Sequence, residues 1–116
     1  MKRTIWLEPL LNSAGTDEPQ QMALFAMVQL GVIQSIQSGL LTPSEAVGFI
    51  YHGENCFYIH QHFPDSTADV IMSHGIQLPD LFEVLPPEVA QRELYRELEI
   101  IRTLCLQLLD TQPLAA

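Results

Sequence analysis

The clearest hydrophobic pattern in the chain lies towards its C-terminal end. Ala90, Leu94, Leu98, Ile101, Cys105, Leu108 and Leu109 recur by threes and fours, with Arg92, Arg96, Glu99, Thr103 and Gln107 on the opposite side. That period predicts an amphipathic helix opening at Pro86-Pro87 and running to about Asp110. Glu88 and Arg92 are spaced i,i+4 to pair along it. A second long helix is expected to start after Asp17, which can cap it, with Glu18 and Pro19 in the opening turn. It carries the stripe Phe25, Val28, Val32, Ile33, Ile36 and stops at Gly39, a natural C′ residue. Leu24 and Met27 lie off that stripe, so its first half is expected to be surrounded. Met22 and Met27 are at core spacing and suggest no cofactor box.

Between these two helices the pattern predicts short ones. Thr42-Pro43-Ser44-Glu45 reads as a capping box opening a helix with Ala46, Val47, Phe49 and Ile50, ending near His52-Gly53. Residues 54–63 fit two periods. As a strand, Phe57, Ile59, Gln61 and Phe63 alternate with Cys56, Tyr58, His60 and His62. As a helix, Cys56, Ile59, His60 and Phe63 share a face. A lone strand has nothing to pair with, so a helix is expected, ended by Pro64. Asp65 or Ser66 then caps a helix through His74, with Val70 and Ile71 inward and Gly75 terminating it. Leu78 to Val84 is a brief turn around Leu81 and Phe82. Residues 1–17 read as an irregular arm, broken by Pro9 and Asn12-Ser13-Ala14-Gly15, with Ile5, Trp6, Leu7, Leu10 and Leu11 able to lie on the domain. The expectation is an all-α, compact single-domain helical bundle. Its long first and last helices pack together, with short helices between, as an arm (1–17) and a helical domain (18–112).

Charge sharpens this picture. Between Thr4 and Gln91 there is no lysine or arginine, while Glu8, Asp17, Glu18, Glu45, Glu54, Asp65, Asp69, Asp80, Glu83 and Glu88 all fall there; the whole chain carries −9. Nucleic-acid binding by phosphate neutralisation needs several cations on one face and is excluded as an expectation. So is a cationic clamp for phosphoryl transfer. Residues 19–44 are uncharged, but the uninterrupted apolar run covers only Met22 to Val28. A membrane span needs about 20 predominantly apolar residues, so no membrane association is expected. Ile5-Trp6-Leu7 is too short for a signal h-region, and Cys56 and Cys105 are far apart, which predicts a cytoplasmic, reduced protein. At 47% hydrophobic and 16% charged residues, the chain is richer in apolar side chains than usual. That predicts a homodimer, with Ile100, Leu104 and Leu106 as its seam.

Candidate chemistry centres on His52, His60, His62 and His74, interspersed with Cys56, Glu54, Asp65 and Asp69. Imidazole, thiolate and carboxylate are zinc ligands, and His60, His62 and Cys56 are the metal candidates. On a helix, however, His60 and His62 diverge by about 200°, and no Cys-x-x-Cys or His-Glu-x-x-His pattern is present. These side chains are therefore read as ordinary polar ones, His52 and His74 capping helix C-termini before Gly53 and Gly75. No metal or other cofactor is expected. Cys56 and His60, at i,i+4, could form a thiol–imidazole pair, but no oxyanion donor accompanies them. Asp65 and Asp69 are likewise read as a helix cap and a first-turn acid rather than an acid–base pair.

Gln37-Ser38-Gly39-Leu40-Leu41, Thr42-Pro43-Ser44-Glu45-Ala46, His74-Gly75-Ile76-Gln77-Leu78 and Leu85-Pro86-Pro87-Glu88, in this order, resemble a family of small bacterial all-helical proteins of unassigned function. The resemblance covers residues 20–110 and implies a compact helical fold and a bacterial origin. It assigns no functional residue. The residues themselves favour an interaction protein over an enzyme: an acidic surface meeting a basic protein partner, as an immunity or antitoxin protein does with a toxin. Glu54, Asp65, Asp69, Asp80 and Glu83 are the carboxylates expected to meet it. The alternatives are a metal- or small-ligand-binding protein using residues 52–74, and a structural homodimer.

Overall fold

Local signals explain most of the helix boundaries. The computed structural model describes residues 3–111; Lys2 and the expected domain end at Gln112 lie outside them. Helix α1 is Leu7–Asn12 and α2 is Glu18–Gln37. At the end of α2, Gly39 takes φ +82°. Its N–H donates to Ile36 O and that of Leu40 to Ser35 O, the paired bonds of a Schellman stop. Helix α3 (Pro43–Tyr51) opens on the expected box, Glu45 N donating to Thr42 Oγ1 at 3.0 Å and Thr42 N to Glu45 Oε1 at 2.8 Å. From Val47 it widens into a π-helical turn. Helices α4 (Gly53–His62), α5 (Thr67–Ile76), α6 (Asp80–Val84) and α7 (Pro87–Thr111) complete the chain, with no strand among the described residues. Residues 54–63 thus take the helical period. Helices α2 and α7 form the most extensive pairing, and the shorter helices pack around them. The radius of gyration is 14.0 Å, close to the roughly 13 Å of a compact chain of about this length. No helix among the described residues is long and apolar enough to cross a membrane.

Several local expectations are corrected. The first element is not an irregular arm: Leu7–Asn12 is helical, with Leu7 and Leu11 fully buried. Pro9 falls in the first turn, where an amide has no intrahelical acceptor, so it breaks nothing. Asp17 stands at the α2 N-cap position without a side-chain capping bond. Ser66 rather than Asp65 caps α5, its Oγ accepting from Asp69 N at 3.1 Å; Asp65 makes the preceding turn with φ +56°. Gly75 does not stop α5 but lies buried within it. Met27, Val70 and Phe82 are exposed, so the interior is narrower than the hydrophobic pattern suggests. Among the described residues the arginine–carboxylate pairs within α7 are Arg96–Glu93 and Arg102–Glu99, both i,i+3, and Glu88–Arg92 is not among them.

The wide turn of α3 creates the feature that ties the N-terminal segment to the core. A helix ends with carbonyls that have no intrahelical donor. Here four successive ones are taken in order. Gly48 O accepts from Thr4 Oγ1 (3.2 Å), Phe49 O from Ile5 N (2.7 Å), Ile50 O from Asn55 Nδ2 (2.8 Å) and Tyr51 O from Cys56 Sγ (3.3 Å). Two of these donors come from residues 4–5 and two from α4, so one helix end organises both neighbours.

Candidate functional site

The histidines are not gathered. His52 caps the N-terminus of α4, not the C-terminus of α3. Its Nδ1 accepts from Asn55 N at 3.4 Å while Nε2 lies 3.2 Å from Ile5 O. This arrangement requires the tautomer protonated at Nε2. His60 Nδ1 meets Asp69 Oδ2 at 2.9 Å, His62 Nδ1 meets Tyr58 O at 3.0 Å, and His74 Nδ1 meets Glu97 Oε1 at 2.8 Å. Among the described residues no three His, Cys, Asp or Glu side chains come together to hold a metal ion. Cys56 turns inward to Tyr51 O, so it pairs with neither His60 nor His62. Burial, then the Asp69 charge, pushes its thiol up, and burial pushes Cys105 up to about 12. Both stay protonated near neutrality, unlike the low-pKa thiols of cysteine nucleophiles.

The hydrogen bond that His60 donates to the Asp69 carboxylate, reinforced by that residue's charge, raises His60 above the ordinary imidazole range. A group whose pKa is raised by folding stabilises the fold below its unfolded value of about 6.5. That contribution is lost as pH climbs through the folded value. The NMR midpoint of His60 is expected above 6.5 in the wild type and back near it in Asp69→Asn. Equal midpoints in the two proteins would remove the contact.

The five carboxylates expected to meet a partner fall into three sets. Asp69 is engaged with His60, and the charge of Asp65 also acts on that ring. Asp80 and Glu83 stand exposed on α6. Glu54, in the first turn of α4, belongs instead with Glu8 of α1. The expected seam also divides. Ile100 and Leu104 are half-buried on one flank of α7, whereas Leu106 is 52% exposed and rotated by about 160° from Leu104 (200° measured the other way).

The groove at Glu8 and Glu54 was not foreseen. Two adjoining depressions of ≈ 420 and ≈ 410 Å³ lie between α1 and α4 and share Glu8, Glu54 and Tyr58. Trp6 and Pro9 border one, Phe57 and His62 the other. Trp6 is held edge-on against His52, centroids 4.9 Å apart, and His62 lies over the Tyr58 ring at 4.3 Å. No lysine or arginine lines either depression, and neither carboxylate has an ion-pair partner among the described residues. Burial, then the charge of Glu8, raises Tyr58, which keeps its phenol protonated. The sequence signal for this wall was present in Leu7, Leu10 and Leu11, whose spacing is helical.

Comparison with protein-family models, with curated proteins and with solved structures returns no match.

Proposed function

We propose that this protein is an acidic interaction module that binds a basic surface of another protein. The observation that carries the reading is the run from Thr4 to Gln91 without lysine or arginine in a chain of net charge −9. In support, Glu8, Glu54, Asp80 and Glu83 are exposed and form no ion pair among the described residues. Unpaired carboxylates on a rigid helical frame provide a negative field that speeds encounter with a cationic patch and rejects acidic competitors. One concrete form is an immunity or antitoxin protein that covers the positive active site of a nuclease-like toxin. Affinity capture followed by stopped-flow association is the test. The on-rate is expected to fall about tenfold or more when salt rises from low to physiological strength. An on-rate indifferent to salt would sink the proposal.

A second reading, self-association, rests on a different surface. A groove lined in part by Ile36, Leu41, Pro43, Phe82, Leu94 and Tyr95 contains no charged side chain. Phe82 and Tyr95 are substantially exposed there. Two copies of a −9 protein meet with least repulsion where neither presents a carboxylate. Sedimentation equilibrium is expected to give a dimer that Phe82→Glu converts to monomer; a monomeric wild type refutes this reading.

A further inference from the structure

We infer that the groove between α1 and α4 receives an arginine-bearing segment of a basic protein partner, with its guanidinium between Glu8 and Glu54 and its stem against the aromatic rings. The inference rests on the acidic-module reading and locates its contact. Acids in the first turns of α1 and α4 are favoured by helix dipoles without any ligand. The dipoles do not account for the rings beside them. Trp6 is 48% and Phe57 64% exposed, and Tyr58 lies between the two depressions.

Large exposed aromatics next to unpaired carboxylates match the requirements of a guanidinium, which stacks on ring faces and pairs with carboxylates. A neutral or acidic segment would leave both carboxylates desolvated and unpaired. The walls are preorganised. Trp6 is fixed against His52, and α1 is bound to α4 through Leu7 N and Asn55 Oδ1 at 3.0 Å, so little ordering is required on binding. His62 closes one end, its Nδ1 engaged with Tyr58 O and its ring on the Tyr58 ring.

Trp6 is the single tryptophan of the chain, so its emission reports on the groove. The full-length protein would be titrated with an acetylated, amidated tetra-arginine peptide and with a tetra-glutamate control at low salt. A saturable change with the arginine peptide alone is expected. The double variant Glu8→Gln/Glu54→Gln should weaken it at least tenfold, and Phe57→Ala several-fold. Asp80→Asn/Glu83→Gln should stay within twofold of wild type. All these positions are exposed, and unchanged circular dichroism will verify that the variants fold. No saturable response, or equal weakening by the two double variants, overturns the groove. If the peptide response fails while a captured basic partner still shows a salt-sensitive on-rate, the groove alone is wrong. Loss of that salt dependence removes the wider reading as well.

Discussion

Replacing Asn55 by aspartate is expected to cost about 3–5 kcal/mol, a large part of the roughly 5–15 kcal/mol that holds a domain folded. Asn55 is 2% exposed, and both ends of its side-chain amide are paired. Nδ2 donates to Ile5 O at 2.9 Å and Ile50 O at 2.8 Å, and Oδ1 accepts from Leu7 N at 3.0 Å. Aspartate keeps the shape and the acceptor but loses both donors. It also sets a carboxylate against two carbonyl oxygens in a buried place, which raises its folded-state pKa. The loss should therefore be greatest near neutrality and shrink as pH falls through that raised value, because the protonated acid donates again. Asn55→Ala, without the charge, should cost about 2–4 kcal/mol and show no such pH recovery. Urea midpoints at neutral and mildly acidic pH test both variants; a wild-type midpoint for either would mean that Asn55 does not hold the N-terminal segment. Because α1 forms one wall of the groove, a destabilised clamp should also weaken the arginine-peptide response.

Gly75→Ala is the second large effect, expected at about 1–2 kcal/mol despite the better helix propensity of alanine. A Cβ at Gly75 would fall inside contact distance of Cγ, Cδ1 and Cε1 of Tyr51. That ring is fully buried, so it cannot move aside without displacing neighbours in the core. Overpacking of this kind typically costs about 1–3 kcal/mol, and the propensity gain of nearly 1 kcal/mol offsets only part of any strain at the upper end. Tyr51→Phe provides the contrast on the same ring. Its hydroxyl is buried without a hydrogen-bond partner among the described residues, so deleting it should leave stability unchanged or raise it slightly. If Gly75→Ala unfolds at the wild-type midpoint, α3 and α5 are not locked through this contact.

How far the sequence reaches is seen most clearly at the helix ends. The Thr42 box and the Gly39 stop are complete within six residues, and the structure contains both as read. The stripe of α7 is legible for the same reason, since Ala90, Leu94, Leu98, Ile101 and Cys105 share one side of a regular helix and are all buried. Gly75 misled because a glycine beside a histidine near a helix end looks like a C-cap. Its absent side chain in fact makes room for Tyr51, 24 positions earlier in the chain. Asn55 carried a weak signal, lying four residues before buried Ile59, but its three partners are residues 5, 7 and 50.

By itself the sequence determined that this chain is all-helical, where its long helices begin and end, and that its middle is anionic. Those properties depend on hydrogen bonds, side-chain periods and charges within a few residues of one another. Only the tertiary structure decided that Leu7–Asn12 is helical and docked on α4, and that Glu8 and Glu54 share a groove with Trp6, Phe57 and Tyr58. It also separated the four histidines. A two-turn helix is too short to be stable alone, so α1 exists because Asn55 and the open end of α3 bind the segment around it. The groove exists because that binding sets residues nearly 50 positions apart side by side.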